Sequence, residues 1–588
     1  MTDAPAFLGV GRSATGRRWV GPDAACDRLA ETIAQGSGLP RAVCAVLARA
    51  GVLPDQAESY LTPTLREHLP DPRSLLDMEP AAARFLQAVR ARERIAIFAD
   101  YDVDGGASAA LLICWLRDMG HRATLYIPDR IDEGYGPNEA AMADLAAGHD
   151  LIICVDCGTL SHGPIAAAKG ADVIVLDHHL GDETLPPAVA VVNPNRQDET
   201  ADLGHLCAAA VVFLMLVECN RHLREGGKAG PDLMGMLDLV ALATVADVAP
   251  LIGVNRAFVR QGLRVMADRT RAGLRALSDI ARLDTAPKAY HLGFVLGPRV
   301  NAGGRIGAAD LGARLLATDD PHEATALAEK LETLNTERRE IEAQVRAAAL
   351  AQAESRGLDG PLVWAAQEGW HPGVIGIAAA RLKEATDRPA IVIALDGEIG
   401  KGSGRSVPGI DLGAAIQRLA HEGLLLKGGG HKMAAGLTVA RANLDQAMMR
   451  LAELLARQGA ADRPVSGLKL DGLMMPGAVT PELIEQLDRA GPFGASMRAP
   501  RFAFANMTIR STRPMGESHL RLRFGGDQGP ALDAVAFRAF ETDLGAVLMQ
   551  SQGRSLHLAG QIEINHWGGR QTPQLRLEDA AIPDSGSN

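Results

Sequence analysis

At 588 residues, with 47% apolar and 22% charged side chains, the chain has an ordinary globular composition and length for roughly three to four domains. A formal charge of −11 excludes a protein coated in basic surface, although a local basic groove still steers a polyanion on an acidic protein. No cationic stretch precedes an apolar core at the N-terminus, and the longest apolar run, Ala208 to Val217, is too short to span a bilayer, so we expect a cytoplasmic protein with no membrane partner.

Residues 1–90 mix short helical patterns with Pro and Gly breaks and read as an N-terminal cap on the next domain. From Ile95 the pattern becomes strand–helix alternation. Ile95–Ala99 is strand-like, Ala107 to Met119 is helical, and strand-like runs recur at Ala123–Ile127, Leu151–Val155, Val173–Leu176 and Val189–Val192. This predicts an α/β domain over 91–255 with a mainly parallel sheet. Seven scattered cysteines read as buried thiols of a reducing compartment. Cys154 and Cys157 have the spacing of a zinc or redox pair, but no second pair accompanies them and the first lies on a predicted strand. Helices dominate 256–355. The last carries Leu327, Leu331, Leu334, Ile341 and Val345 on one face, which predicts a packed connector; its heptads are few for a dimerising coiled coil. A second α/β unit is expected over 356–462, with strands at Leu362–Ala365 and Ala390–Ala394. Gly428 to Gly430 read either as backbone that lets a phosphate approach closely or as a plain loop before a helix-like stretch, Lys432–Gly436. Residues 463–582 are β-rich and suit a small OB-like barrel, followed by a frayed tail at 583–588.

Three clusters carry the chemistry: Asp100-Tyr101-Asp102-Val103-Asp104-Gly105, then Asp156, then Asp177-His178-His179. Each comes directly after an apolar strand-like run. Ligand sites of open parallel sheets lie beyond the carboxyl ends of strands, so distant residues converge there. Asp247 lies within the apolar run Leu242 to Pro250, where an unpaired buried carboxylate is costly. Gly105 and Gly106 let the loop after Asp104 turn tightly. Capping and turn aspartates are the plain alternative for any one cluster. Crowded carboxylates and imidazoles repel unless a multivalent cation neutralises them. An oxygen-rich set with one or two imidazoles suits Mn²⁺ or Mg²⁺ better than structural Zn²⁺. Paired ions about 3.5–4 Å apart clamp the attacking and leaving oxygens of a phosphoryl transfer. No dinucleotide fingerprint or ATP-binding phosphate loop is present, so phosphate-ester hydrolysis is the expected chemistry.

These four segments, the last ending Ala243-Thr244-Val245-Ala246-Asp247, resemble in order and spacing the signatures of the DHH phosphoesterase superfamily. The remainder from about residue 90 resembles one branch, the RecJ single-strand-specific exonucleases. Leu296 to Arg305 is similar to that family's linker motif, Trp370 to Ala378 and Gly428 to His431 to its DHH-associated domain, and the β-rich end to its OB domain. The resemblance implies that Asp102, Asp104, Asp156, His178 and Asp247 ligate two divalent cations, with Asp156 bridging. It implies that His179 faces the scissile phosphate and that Asp100 and Asp177 support the ligands. Arg130 and Tyr135 would hold the strand, Arg299, Ser403 and Arg405 would lie near a 5′-phosphate pocket, and Asn301, Arg305 and His431 would also contact DNA. The barrel would add affinity through Arg521, Arg523, Arg570, Trp567 and Phe524, although Phe524 reads slightly better as core. The chain departs from the family pattern at Gly303-Gly304 and at Pro492 to Met497. The expected activity is 5′→3′ exonuclease digestion of single-stranded DNA in recombination and repair, with a helicase and a single-strand-binding protein as partners. The alternatives are a DHH phosphodiesterase acting on short oligoribonucleotides or cyclic dinucleotides, and a non-catalytic DNA-binding scaffold, which would have lost ligands.

Overall fold

Ile95–Ala99 (β1) and Leu151–Val155 (β3) are buried along their whole length, the pattern of strands covered on both faces. With Ala123–Tyr126 (β2), Asp172–Leu176 (β4) and Ala190–Val192 (β5) they form a five-stranded sheet of order β2-β1-β3-β4-β5, parallel throughout. The computed structural model describes residues 5–461, 467–526, 529–567 and 570–583. These divide into two units, one running from Leu69 to the end of the second α/β domain and the other joining the segment up to His68 to the C-terminal barrel. The segment expected as a cap is therefore split. Its helix Met78–Ala91 belongs with the parallel sheet, where Phe85 packs on Trp115 at 5.3 Å.

The helical linker ends in a 36-residue helix, Pro321–Arg356, that begins with Asp320 as cap and Pro321 in its first turn. Val345, Ala349 and Ala353 are buried against Ala378 and Leu382 of the next domain, so that stretch of the apolar face is covered within the chain. It is the packed connector.

The second sheet holds Val363–Glu368 (β6), Ala390–Asp396 (β7), Ile399–Arg405 (β8), Lys427–His431 (β9) and Ala434–Ala440 (β10), in the order β9-β10-β8-β7-β6. Composition hides β8, because Ile399-Gly-Lys-Gly-Ser-Gly-Arg405 reads as a loop. The three glycines share one face, where an added Cβ would lie 2.8 Å from Ile393 at Gly400, 2.8 Å from Leu437 at Gly402 and 2.6 Å from Ile391 at Gly404. Neighbouring side chains fill the space, and Lys401, Ser403 and Arg405 line the opposite face. The loop-then-helix reading of 428–436 is corrected in the same way: Gly428 to His431 pair antiparallel with Ala434 to Leu437. Glycine there serves close approach, since a Cβ on Gly413 of the covering helix would sit 2.7 Å from the Gly430 carbonyl.

In the other unit, Phe502–Met515 (β11), His519–Gly525 (β12), Leu532–Ala536 (β13), Ser555–Trp567 (β14) and Arg570–Ala581 (β15) close into a barrel of order β11-β12-β13-β15-β14, as an OB-like fold requires. Phe524 is fully buried, edge-on to Phe504 at 5.4 Å, and is core rather than a stacking surface. Arg521 is paired with Asp533 at 2.9 Å, while Arg523 is exposed. The Trp567 side chain and the tail from residue 584 lie outside the described residues. The N-terminal strand Arg18–Val20 pairs with Gly467–Lys469, and Trp19 donates from its ring to Asp579 at 3.0 Å.

Gly402→Val would force a branched side chain against Leu437 and Ile393, at a cost of about 1–3 kcal/mol. The expected outcome is a fall of several degrees in the melting temperature; an unchanged melting curve would contradict the packing of β8.

Candidate metal centre

The centre forms where β1, β3 and β4 end. Asp100 comes directly after β1 and is almost wholly buried. Asp102 caps the helix Val103–Asp118 (α1), its carboxylate accepting from the amides of Asp104 at 2.8 Å and Gly105 at 3.2 Å. Thus α1 starts four residues before the predicted position, and Gly105 and Gly106 lie inside its first turns rather than in a tight loop. A Cβ on Gly105 would meet the Asp100 carbonyl at 2.4 Å, so glycine is what allows the helix to begin against the strand end. The loop is clamped from the other side by the helix Gly297–Ile306 (α2). A Cβ on Gly304 would lie 2.5 Å from the Tyr101 carbonyl, and Asn301 accepts from the Val103 amide at 3.0 Å.

Asp104 is buried and accepts from the amides of Ala208 at 2.7 Å and Ala209 at 2.8 Å, the start of the helix Ala208–Glu225. Asp156 sits just past β3 with φ of +61°, a conformation that costs a non-glycine residue about 1–3 kcal/mol and that is concentrated at functional sites. Asp177 sits just past β4 and accepts from the amides of Thr159, His178 and His179 and from Nδ1 of His179 at 2.8 Å. Asp247 arrives differently from the other acids: it ends the buried helix Leu237–Ala246 rather than a strand.

His178 Nε2 stands 3.2 Å from Asp156 Oδ1, 3.7 Å from Asp104 Oδ2 and 3.9 Å from Asp247 Oδ2. Three trios have ligand-capable atoms within 4.8 Å of one another: Asp156 with His178 and His179, Asp104 with His178 and Asp247, and Asp100 with Asp102 and Asp156. Asp100, expected as a support, thus stands among the potential ligands, whereas Asp177 commits its oxygens to the His178–His179 turn. The Tyr135 hydroxyl donates to the Asp156 carbonyl at 3.0 Å and lies 3.1 Å from Nδ1 of His179, so Tyr135 braces the histidine.

Burial, then neighbouring negative charge, raises the carboxyls of Asp100 and Asp156 well above their usual range, and Asp247 is pushed up to about 8 by burial, Asp104 and Asp102. Among the described residues no lysine or arginine pairs with Asp100, Asp102, Asp104, Asp156 or Asp247. One oxygen each of Asp100 and Asp156 is buried without a hydrogen-bond partner. Unpaired buried carboxylate oxygens around one imidazole fit a hard divalent cation.

Beside the acids lies a group of cations from both α/β domains of this unit. Arg130 stacks over the Tyr101 ring at 4.9 Å. Arg305 is pushed down to about 10 by burial and then by Arg130, Arg338 and Arg405, and Arg405 is lowered by burial and Arg130. Arg405 donates to Ser403 Oγ at 3.1 Å, and a Cβ on Gly376 in the helix Pro372–Thr386 would lie 3.0 Å from that hydroxyl. Like charges gathered in this way create a place for an anion. Arg299 does not join them: it is paired with Glu332 and donates to the Val295 carbonyl at 2.7 Å. His431 is exposed at the end of β9. Lys401 is the residue that sequence reasoning missed; it shares the Ser403–Arg405 face and reaches the Ile131 carbonyl at 3.5 Å. Its signal was the two-residue period hidden in a glycine run.

Family models match residues 94–244 (DHH family, N-terminal domain), 359–457 (DHHA1 domain) and 470–579 (RecJ OB domain). The chain is 39% identical over 532 residues to the single-stranded-DNA-specific exonuclease RecJ of Dickeya dadantii, covering 86% of this chain and 91% of that protein. It belongs to the RecJ family. The Escherichia coli RecJ is 36% identical over 86% of this chain and 90% of its own length. The crystal structure of RecJ in complex with Mn²⁺ from Thermus thermophilus superposes with a TM-score of 0.79 at 29% identity, over 96% of this chain and 80% of that one. A second Thermus thermophilus structure is in complex with Mg²⁺. The acids and imidazoles of this RecJ-family chain are positioned to bind such a cation.

These shifts set the sign of the pH dependence. Acids with raised folded-state values keep protons that the unfolded chain releases, so without metal their stabilising contribution is lost as pH rises from about 4 through about 8. His179 acts in the same sense: burial lowers it, but Asp177, Asp247 and Asp100 lift it to about 9. A bound cation removes the penalty on the acids. Mn²⁺ should therefore raise the melting temperature of metal-stripped protein more at pH 8 than at pH 5.5, and an equal rise at both would contradict the site.

Proposed function

We propose that this RecJ-family chain is a metal-dependent 5′→3′ exonuclease that degrades single-stranded DNA to 5′-mononucleotides during recombination and repair. The observation that carries the reading is an acid–imidazole centre adjoined, within one unit, by arginines with no carboxylate partner among the described residues. Asp102, Asp104, Asp156, His178 and Asp247, with Asp100 beside them, would hold two Mn²⁺ or Mg²⁺ ions. When bound, such ions polarise the phosphodiester and lower the pKa of a coordinated water.

The chain's own residues bind and orient the strand. Asp177 accepts from Nδ1 of His179 and fixes the ring, which would face the scissile phosphate. Arg130, Arg305, Arg405 and Ser403 hold the terminal 5′-phosphate through fork-like donors, which sets the polarity. Asn301 accepts from the first amide of α1 and Arg299 pairs with Glu332, which supports a positioning role for both. The barrel of the other unit supplies further strand affinity through its exposed arginines. The presence of every expected acid and of His178 speaks against a scaffold, and the long linker helix and terminal barrel speak against a phosphodiesterase of cyclic dinucleotides. A helicase that opens duplex and a single-strand-binding protein are the partners this activity calls for, in the cytoplasm. Among the described residues no helix is long and apolar enough to cross a membrane.

Asp156→Ala should reduce Mn²⁺-dependent release of nucleotides from end-labelled single strands to background while most strand binding remains; retained cleavage would overturn the ligand assignment. Arg405→Ala should erase the preference for 5′-phosphorylated over 5′-hydroxyl ends, a loss of about tenfold or more for one charge-assisted contact. An unchanged preference would remove Arg405 from that role.

A further inference from the structure

β5 also ends at the rim that holds the metal centre, but amides follow it instead of acids, in the turn Asn193-Pro194-Asn195-Arg196. Pro194 keeps the residue before it extended, and the Asn193 side chain is fully buried. Its Oδ1 accepts from the Asn195 main-chain amide at 2.7 Å, which leaves Nδ2 to donate to the His179 carbonyl and to Thr159 Oγ1, each at 2.8 Å. A main-chain N–H only donates, so chemistry fixes this orientation of the carboxamide. Asn195 turns its own Nδ2 to the His178 carbonyl at 2.6 Å and the Gly204 carbonyl at 3.2 Å. A Cβ on Gly204 would lie 2.6 Å from Asn195 Oδ1, so glycine makes room for the contact.

The asparagine turn is itself held. Buried Arg196 donates at 2.8 Å to Asp77 Oδ2 and to the Val191 carbonyl, which ties the turn to the residue that precedes the helix Met78–Ala91. On its other side the Gly181 amide donates to the Asn195 carbonyl at 3.1 Å. A Cβ on Gly181 would be 3.3 Å from Arg196 Cα and 3.5 Å from Thr159 Cγ2, so the histidine turn is pressed against both. Thr159, three residues beyond Asp156, is gripped twice: Asp177 accepts from its amide at 3.0 Å and Asn193 donates to its hydroxyl. Both carboxamides thus spend their N–H groups on the histidines and on the loop that carries Asp156.

We propose that Asn193 and Asn195 are positioning residues that set the two histidines of the centre from the main-chain side. Asn195 fixes His178 against the acids, and Asn193 fixes His179 and locks the Asp156 loop to it. The inference rests on the metal-centre reading and deepens it. Because the grip is on carbonyls, His178 Nε2 stays free to face Asp156 at 3.2 Å. Partners that orient a ligand without touching the ion typically change metal affinity or activity by about 10- to 100-fold when removed.

The test combines Mn²⁺ calorimetry on the metal-free full chain, cleavage kinetics on labelled single strands, and NMR of ¹³Cε1-labelled histidine in the metal-free chain. Asn195→Ala should weaken Mn²⁺ binding about tenfold or more, with KM for the strand unchanged and kcat recovering at high Mn²⁺. Asn193→Ala should lower kcat at saturating Mn²⁺ about tenfold or more, with KM unchanged and no recovery on adding metal. Asn195→Asp keeps the shape but lacks the donor and should match Asn195→Ala; Asn195 is only half-buried, so its two variants decide the matter if Asn193→Ala does not fold. The largest shift among the histidine signals should be that of His178 in the Asn195 variants and that of His179 in Asn193→Ala. Variants that melt at lower temperature yet keep the parent's Mn²⁺ affinity and kcat have lost only stability, and that result overturns the positioning role. A parent that binds no Mn²⁺ would overturn the metal-centre reading instead, and unmoved His178 and His179 signals would still overturn the positioning.

Discussion

Five carboxylates converge beyond the ends of three parallel strands, in a space where burial and neighbouring negative charge oppose the ionisation of Asp100, Asp104, Asp156 and Asp247 and, among the described residues, no lysine or arginine neutralises them. That electrostatic penalty is the constraint on which the rest of the catalytic unit turns. It could be lowered by substituting an acid or by letting water in, yet the chain bears further strain to keep the acids close. Asp156 holds a left-handed backbone, and Gly105 and Gly304 bring a helix and a loop to distances that no side chain would permit. Strain, glycine and charge are all arranged around the same small volume, as expected where a cation completes the structure.

The second sign of charge lies on the neighbouring domain and arises from a different use of glycine. In β8 three glycines let bulky neighbours close over one face, and this leaves Lys401, Ser403 and Arg405 in a row on the other. Gly376 lets the facing helix approach that row closely. A centre that attracts cations thus sits beside a surface that attracts anions, and a phosphodiester with a terminal phosphate carries groups for both. The linker helix packs its Val345, Ala349 and Ala353 into the second domain of the same chain.

Much of this was legible in the amino-acid sequence. Asp100, Asp156 and Asp177 each come after an apolar pentapeptide or nearly so, and the strand-end rule for parallel sheets brings them together. Asp247 escaped that rule because it ends a helix; only its isolation in an apolar run marked it. The start of α1 was misplaced because Asp and Gly resemble a loop, whereas Asp102 caps the helix and Gly105 permits close packing. β8 and β9 were invisible for the same reason: glycine lowers strand propensity, and only tertiary neighbours show why it is needed. Arg299 was expected near a 5′-phosphate pocket, but it pairs with Glu332, 33 positions later in the linker helix. Pairing of that kind is a property of the fold and not of any local pattern.

Two divalent cations held among Asp102, Asp104, Asp156, His178 and Asp247 would reconcile the crowded acids. Electron paramagnetic resonance during Mn²⁺ titration of metal-free protein tests this directly. Two neighbouring Mn²⁺ ions should give an exchange-coupled spectrum that reaches full intensity at two equivalents per chain. Saturation at one equivalent, with the signal of an isolated ion, would contradict that arrangement.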